Sequence, residues 1–266
     1  MKISVIIPVL NERACLPATI DSVRAGIPDA QIIAIDGGSV DGSAEWLESQ
    51  PDVWSRTGVR GKGPQQNAGA TLAAGDVLVF LHADCQLPSN AGERLREELR
   101  SPGNVGGCFY IRFAERRPLS LHVLATGMNL RARIFRRSFG DQVLFIRRAV
   151  FERIGGFPDW PLFEDYELVR RMKRVGQFAV ISSPATLSAR RFLAHGVWRT
   201  VARVFLLQGA YYLGIPPRRL KHWFADIRPH LKQTSVDCQN PNQHDFECEG
   251  GGDVGGELER RRRTRT

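Results

Sequence analysis

Residues that can shape a ligand site follow four apolar segments in the first third of this 266-residue chain. They are Pro8, Asn11 and Glu12, then Asp36 and Ser39, then Lys62, and finally His82 and Asp84. A carboxylate is a hard oxygen ligand that suits Mg²⁺ or Mn²⁺, and a lysine offers a point charge to a phosphate. We therefore expect a phosphate-bearing ligand with a divalent metal on Asp84, and His82 as a further ligand or as a residue that orients Asp84.

A second candidate group, Glu164 and Asp165, stands at the start of a helix predicted over residues 164–175. The helix dipole favours acidic residues in a first turn, so a purely structural role is one explanation. That explanation does not account for the preceding Gly155-Gly156-Phe157-Pro158, a stiff and tight approach that would fix a carboxylate in space. A fixed carboxylate that faces a phosphate site is what a general base needs.

The other candidates also have structural alternatives. The segment Asp36-Gly37-Gly38-Ser39 could be only a turn with a helix N-cap, because Asp, Gly and Ser favour both. Asp84 could cap the helix that begins near Pro88. Arg190 and its neighbour Arg191 suit a bound phosphate and a solvated surface equally well. Taken jointly, the four segments favour one shared ligand site.

The elements that must position these residues follow from the apolar periodicity of the first half. Strands are predicted over residues 3–7, 31–35, 52–55 and 77–81, with helices over residues 16–23, 43–49, 64–74 and 88–100. This alternation indicates βαβ crossovers and an α/β fold with a mainly parallel sheet flanked by helices. Ligands of open α/β sheets bind outside the carboxyl ends of the strands, where all four groups of residues would meet.

The second half of the chain is less regular. Strands are predicted over residues 105–113, 143–146 and 177–181, and an amphipathic helix over residues 195–213 near the C-terminus. From about residue 233 the sequence becomes polar and glycine-rich, which predicts a disordered tail over residues 233–266. The folded domain is therefore expected to span residues 1–232.

The basic charge belongs to the expected domain. The chain carries 37 Lys and Arg against 28 Asp and Glu, a net charge of +9, and residues 1–232 alone carry +11. Such a surface favours an anionic partner, which could be a phosphorylated metabolite, nucleic acid or anionic lipid. Five scattered cysteines without C-x-x-C spacing argue against a disulfide framework or zinc site and fit a reducing cytosol. We expect no signal peptide and no membrane-spanning helix.

The sequence motifs exclude further classes of ligand. Neither residues 37–42 nor residues 61–66 match G-x-G-x-x-G, and the turn after the first strand has no glycine. The P-loop motif is also absent, so the sequence argues against a dinucleotide site. Aromatic residues are not interleaved with the arginines in a stacking pattern, so we expect no nucleic-acid partner. Apolar and aromatic residues near the C-terminus lie among arginines, a composition that favours either packing onto the domain or contact with an anionic membrane. They are Trp198, Val201, Phe205, Leu206, Tyr211, Tyr212 and Leu213, followed by Trp223 and Phe224.

Four motifs occur in a characteristic order over roughly residues 1–226. They are Val5-Ile6-Ile7-Pro8-Val9-Leu10-Asn11-Glu12, Asp36-Gly37-Gly38-Ser39-Val40-Asp41-Gly42-Ser43, a strand followed by Asp84, and Glu164-Asp165. Their order and spacing resemble the family 2 glycosyltransferases with a GT-A fold. More narrowly, Gly63-Pro64-Gln65-Gln66-Asn67-Ala68-Gly69-Ala70 and Leu81-His82-Ala83-Asp84 are similar to a bacterial subfamily that includes radical-SAM- or selenodomain-associated transferases and diaponeurosporenoate glycosyltransferases.

The resemblance implies a role for each candidate residue. The nucleotide and its phosphates would be bound by Pro8, Asn11, Glu12, Asp36, Ser39, Lys62 and Arg190, with Asp36 reading the base. Asp84 would match the last acid of the metal-binding D-x-D motif, whose first acid is replaced by His82 here. Asp165 would match the catalytic base, beside Glu164.

The activity expected on this basis is inverting transfer of a sugar from a nucleotide-diphosphate sugar, a UDP-sugar by preference. The acceptor would be a hydroxyl or carboxyl group, of lipid or carotenoid type. The Gln-x-x-Arg-Trp motif of processive members is not evident, which indicates transfer of a single sugar. We expect a cytoplasmic enzyme with peripheral contact to the inner face of the cell membrane. The alternative is a non-catalytic protein that binds nucleotide sugars or nucleic acid.

Overall fold

The computed structural model describes residues 1–225 except 116, 137 and 139–141. The predicted tail over residues 233–266, and the predicted domain boundary at residue 232, lie outside the described residues. The strands of the described part are β1 (Ile3–Val9), β2 (Gln31–Asp36), β3 (Val53–Thr57), β4 (Val77–Phe80), β5 (Cys85–Gln86), β6 (Asn104–Phe113), β7 (Leu144–Arg147) and β8 (Gln177–Leu187). Its helices are α1 (Leu16–Gly26), α2 (Ser43–Glu48), α3 (Lys62–Leu72), α4 (Ala91–Glu98), α5 (Leu119–Phe135), α6 (Arg148–Arg153), α7 (Glu164–Val175), α8 (Arg190–His195), α9 (Val197–Tyr212) and α10 (Pro217–Ala225).

The strands of the described part form one sheet in the order β3-β2-β1-β4-β7-β6-β8-β5. The strands β3, β2, β1 and β4 run parallel, as the alternation of strands and helices predicts. The other end of the sheet is mixed, because β7 is antiparallel to both β4 and β6, and β5 is antiparallel to β8. Apolar periodicity identifies strands without giving their direction, so it could not predict the mixed pairing. The α/β fold with flanking helices is confirmed.

The sheet is covered on both faces, which explains its continuous apolar strands. Side chains along β1 alternate between two hydrophobic clusters, with Val5 and Ile7 in one and Ile6 in the other. The first cluster includes Leu16 from α1 and residues of α4 and α5, whereas the second includes Leu168 from α7. This core holds the carboxyl ends of β1 and β2 in a fixed relation.

Some elements differ from the prediction. The helix predicted over residues 195–213 is α9, which begins two residues later, after Gly196 with its left-handed φ of 80°, a conformation that favours glycine. The preceding helix α8 was not predicted. The strand predicted over residues 177–181 continues as β8 to Leu187. The two-residue strand β5 and the short helix α6 were not predicted, since neither is long enough to show a period. Pro8 lies within β1, opposite Ile35, so the predicted end of that strand was too early.

Candidate active site

The loops that follow β1 and β2 are fastened to each other. The backbone amide of Asn11 donates to Ser39 Oγ at 2.8 Å, and Asn11 Oδ1 accepts from the amide of Val40 at 2.9 Å. The amide of Glu12 donates to Ser43 Oγ at 3.1 Å. The predicted nucleotide-binding residues Asn11, Glu12 and Ser39 therefore lie together on one loop pair at the carboxyl edge of the sheet.

Asp36 ends β2 with only 3% of its surface exposed. Its carboxylate accepts hydrogen bonds from the backbone amides of Gly38 at 3.1 Å and Ser39 at 2.8 Å, and from the Ser39 hydroxyl. These bonds form the turn that was one explanation from the sequence. The base-reading role of Asp36 stays a prediction.

Gln65, whose part in the site the sequence did not reveal, ties α3 to the same edge. Its buried side-chain amide donates to the carbonyl oxygens of Val9 at 2.8 Å and Ile35 at 2.7 Å, the ends of β1 and β2. A buried amide needs such partners, and here they fix the register of the helix against the strands. Because Lys62 lies three residues earlier on α3, it is held at the edge from which Glu12 also emerges. A glutamine on the inner side of a predicted helix is the signal that could have found this contact.

The first group of charged residues, which we call the arginine cluster, contains Glu12, Asp84 and Arg190. Arg190 Nη2 lies 3.2 Å from Asp84 Oδ2 and also forms an ion pair with Glu12. Burial raises the pKa of Glu12, and the charge of Asp84 adds to this, although Arg190 opposes both. Burial lowers the pKa of Arg190, but its bond to Glu12 and both carboxylate charges outweigh burial and raise it. The guanidinium therefore stays charged between two carboxylates.

The pairing of β5 with β8 explains why Arg190 reaches Asp84. Cys85 lies opposite Leu187, and the amide of Ser188 donates to the carbonyl oxygen of Asp84 at 3.2 Å. The start of α8 is held in turn by Glu115, whose carboxylate accepts from the amide of Ala189 at 2.8 Å. Glu115 was missed from the sequence, because its partner lies 74 residues away and belongs to no recognisable motif.

The second group, which we call the lysine cluster, contains Lys62, Glu164 and Asp165. Lys62 Nζ lies 3.2 Å from Glu164 Oε1 and 3.1 Å from Asp165 Oδ2. The other oxygen of Asp165 accepts from the backbone amide of Tyr166 at 2.6 Å. Burial raises the pKa of Glu164 and the nearby Asp165 adds to it, while Lys62 acts in the opposite direction. The Asp165 carboxylate is thus oriented through both of its oxygens.

The lysine cluster depends on a close approach between α3 and the segment before α7. A Cβ atom on Gly63 would lie 3.2 Å from the carbonyl oxygen of Pro158 and 3.5 Å from the side chain of Glu164. Asn67 holds the same segment, since its Nδ2 donates to the Phe157 carbonyl at 2.9 Å and its Oδ1 accepts from the Phe157 amide at 3.0 Å. Asn67 is another positioning residue whose contact could not be foreseen from the sequence.

The two predicted cations, Lys62 and Arg190, pair with different carboxylates. The sequence left Lys62 or Arg190 as the cation that acts with Asp84 on the phosphates. In the structure Arg190 lies beside Asp84, and Lys62 lies with Glu164 and Asp165. His82 is half-buried in the turn before Asp84.

A divalent metal fits this site only in part. Among the residues that the structure describes, no three His, Cys, Asp or Glu side chains are grouped so that they could hold a metal ion. Asp84 is already paired with Arg190. These residues therefore suit a metal ion only where oxygen atoms of a phosphate ligand complete its coordination.

The described part of the chain has a mixed α/β sheet flanked by helices, with polar residues at the carboxyl edge of its parallel strands, which is the architecture of the GT-A class. Residues 4–155 match the model of glycosyl transferase family 2, and the chain belongs to this family. The finer resemblance to the diaponeurosporenoate glycosyltransferase group is not confirmed by the comparisons.

Two curated relatives illustrate the sequence similarity. An undecaprenyl-phosphate mannosyltransferase of Micrococcus luteus is 28% identical over 116 residues, which are 40% of this chain and 48% of that protein. A PGL/p-HBAD biosynthesis glycosyltransferase of Mycobacterium bovis is 29% identical over 170 residues, which are 58% of this chain and 62% of that protein. The chain thus spans less than two thirds of the length of either relative.

Solved structures confirm the GT-A fold. TarS 1–349 of S. aureus superposes with a TM-score of 0.57 at 16% identity, covering 72% of this chain and 61% of that one. The mannosyltransferase PcManGT of Pyrobaculum calidifontis, solved with GDP-Man and Mn²⁺, superposes with a TM-score of 0.54 at 21% identity, covering 85% and 69%. None of the helices within the described part of the chain is long and apolar enough to cross a membrane.

Proposed function

We propose that this protein is an inverting glycosyltransferase that moves one sugar from a nucleotide-diphosphate sugar to a lipid-type acceptor. The observation that carries the proposal is the pair of charged clusters at one sheet edge of a family 2 chain. The arginine cluster offers a cation to a diphosphate, and the lysine cluster offers an oriented carboxylate to an acceptor. The comparisons give no support to the alternative of a non-catalytic binding protein.

The donor would lie along the fastened loops after β1 and β2, with Pro8, Asn11, Glu12, Asp36 and Ser39 around the nucleotide. Related structures support a nucleotide-sugar donor, since TarS was solved with UDP and with UDP-GlcNAc, and PcManGT with GDP-Man. We retain a UDP-sugar as the first candidate and GDP-sugars as the second.

Arg190 would stabilise the negative charge that gathers on the departing diphosphate. A guanidinium binds phosphate oxygens through paired donors, and such bonds are strongest where water is partly excluded. A divalent metal held by Asp84, with His82 nearby, would add Lewis-acid stabilisation of the same oxygens. Binding of the diphosphate would require Arg190 to share its donors with the ligand, because Glu12 and Asp84 engage them in the ligand-free geometry.

Asp165 would act as the general base. It takes the proton of the acceptor hydroxyl while the acceptor oxygen forms a bond to the anomeric carbon. The bond from that carbon to the diphosphate breaks, its electron pair leaves with the nucleotide diphosphate, and the configuration inverts. Lys62 and the Tyr166 amide hold Asp165 in place for this step, and Glu164 holds Lys62.

Lipid-linked acceptors are favoured by the names of the relatives. Undecaprenyl phosphate is named for the Micrococcus protein and for an arabinose transferase of Aeromonas hydrophila that is 37% identical over 116 residues. We therefore place a polyprenyl phosphate ahead of the carotenoid-type carboxyl acceptor that the subfamily resemblance implies.

Donor binding is the first experiment. We expect a UDP- or GDP-sugar to raise the melting temperature in a thermal-shift panel, because a ligand that binds only the folded state stabilises it. Release of nucleotide diphosphate in the presence of Mn²⁺ or Mg²⁺ would then separate an enzyme from a binding protein. In Asp84→Asn, the metal dependence of donor affinity should disappear, whereas Asp76→Asn, which alters an acid at the opposite end of β4, should retain it. Failure of every nucleotide sugar to bind would contradict the proposal.

A further inference from the structure

One face of α9 is apolar and exposed along the whole helix. Its residues are Trp198, Ala202, Phe205, Leu206 and Gly209, with Leu213 directly after the helix. At about 100° per residue they fall within roughly a third of the helix circumference. Phe205, Leu206 and Leu213 are 63%, 74% and 85% exposed. A continuous exposed patch of this kind marks an interaction surface, whereas scattered exposed apolar residues do not.

The opposite face of α9 makes the contacts with the domain. Val197, Thr200 and Leu207 are buried, and the Tyr211 ring lies 5.1 Å from the ring of Phe163. Packing onto the domain and exposure of apolar surface, which were alternatives from the sequence, thus belong to two faces of one helix. The packing of α9 on the domain therefore does not use the exposed face.

The basic residues around the exposed face of α9 indicate which kind of partner it binds. Residues 197–225, which span α9 and α10, contain five Lys and Arg and no Asp or Glu. Arg199 is exposed beside the apolar face, and Arg218 and Arg219 follow on α10. Apolar side chains bordered by cations suit the interface of an anionic bilayer. A second copy of this chain would instead bring like charges together.

The helix also connects to both charged clusters. α8 carries Arg190 at its start and is followed by α9 after Gly196. At the other end of α9, the hydroxyls of Tyr212 and Tyr166 lie 2.6 Å apart, and Tyr166 directly follows Asp165. The domain side of α9 therefore adjoins the candidate base, while its other side is the exposed apolar face.

We infer that the exposed face of α9 docks the protein on the surface of an anionic lipid bilayer. Its aromatic and aliphatic side chains enter the headgroup region and the flanking arginines contact lipid phosphates. Bilayer contact does not depend on sugar transfer. The consequence that a lipid-linked acceptor meets Asp165 from the bilayer side does rest on the proposed function.

The test is flotation of the purified full chain with vesicles of phosphatidylcholine alone or with phosphatidylglycerol added. We expect binding to the anionic vesicles at low salt and its loss at high salt. Trp198→Ser should lower the partition coefficient about ten-fold, because a large apolar side chain no longer leaves water. Arg199→Glu should lower it about five-fold or more, as expected for removal of one cation near the surface.

Residues for matched control variants lie on β3, the edge strand at one end of the sheet. Trp54 is 61% exposed and Trp198 is 60% exposed, so Trp54→Ser removes the same side chain from a comparable environment and should bind vesicles normally. Arg56→Glu serves in the same way for Arg199→Glu. The melting temperature of each variant shows whether it remains folded.

Several outcomes would overturn the inference. Wild-type protein that stays with the aqueous phase at low salt would do so. Normal vesicle binding by Trp198→Ser and Arg199→Glu would show that the bilayer contact lies elsewhere, for example at the exposed Leu130 and Ile134 on α5. Concentration-dependent dimers that Phe205→Ser abolishes would assign the face to a second copy. Donor binding needs no vesicles and vesicle binding needs no donor, so failure of this inference is distinguishable from failure of the proposed function.

Discussion

The two charged clusters are built alike and buried differently. Each places two carboxylates around one cation, and the cations are equally exposed, at 30% for Arg190 and 29% for Lys62. The carboxylates of the arginine cluster, Glu12 and Asp84, are 22% and 23% exposed. Those of the lysine cluster, Glu164 and Asp165, are only 8% and 10% exposed.

Because the two clusters differ in burial, they suit different chemical roles. In the arginine cluster, solvent reaches the carboxylates, so a phosphate can compete for the guanidinium with little loss. In the lysine cluster, the carboxylates have given up much of their hydration and are held by fixed partners, so their positions are defined before a substrate arrives. Under the proposed function, the open cluster would exchange ligands and the buried cluster would accept a proton.

The largest expected effect is on the buried cluster. Asp165→Asn should lower kcat with a hydroxyl acceptor by about 10²–10⁴-fold, because the amide cannot accept the proton. Donor affinity measured by calorimetry should be essentially unchanged. Asp159→Asn, an exposed acid six residues earlier, is the control and should remain active. Unchanged turnover in Asp165→Asn would show that the general base does not lie in the lysine cluster.

The same variant also reports on the acceptor. A phosphomonoester with a second pKa of about 6 is largely ionised at neutral pH and needs little help from a base. The loss in Asp165→Asn should therefore be smaller with a polyprenyl phosphate than with a hydroxyl acceptor.

The open cluster should respond through binding. Arg190→Ala should weaken donor affinity by about 10–100-fold, since it removes a charged hydrogen-bond donor and leaves two carboxylates without their cation. Arg191→Ala, the exposed neighbouring arginine, should have little effect in the same calorimetric titration. Tighter donor binding in Arg190→Ala would show that Arg190 blocks the diphosphate position instead of serving it.

The smallest expected effect is on stability. Because the pKa of Glu164 is raised in the folded state, its folding contribution is most favourable below the ordinary value of 4.5 and is lost as pH rises through the raised pKa. Glu164→Gln should therefore be more stable than the wild type at pH 8, by about 1 kcal/mol or about 2–4 °C. The gain should shrink as pH falls towards 5 in melting curves. A gain that is the same at both pH values, or one matched by the exposed Glu152→Gln, would contradict this account.

Local pattern was enough to predict the first half of the fold. Apolar runs such as Ile6 and Ile7 in β1 are buried on both faces, and the residues that follow β1 and β2 had to reach one edge. The same reasoning placed Glu12, Asp36 and Asp84 at that edge. It also identified Glu164 and Asp165 as acids at the start of a helix.

The partners of those residues could not be predicted in the same way. Which cation faces Asp84 is decided by the pairing of Cys85 with Leu187, and a two-residue strand leaves no periodic signal. Gln65 and Asn67 act through backbone atoms of distant strands and loops. The position of Gln65 on the inner side of a helix suggests a buried contact, but it does not identify the partner atoms. Sequence pattern therefore indicated the candidate functional groups, and tertiary structure was needed to pair them.

The ion pairs of both clusters close very long loops of chain. Lys62 and Asp165 are 103 residues apart, Asp84 and Arg190 are 106, and Glu12 and Arg190 are 178. Closing a loop of this length costs conformational entropy, and a fold rich in such contacts folds more slowly. A chain that stopped at residue 155, where the family match ends, would keep Glu12, Lys62 and Asp84 without their partners. Completion of the site therefore requires the last third of the chain to dock, and a bound donor would stabilise these long-range contacts.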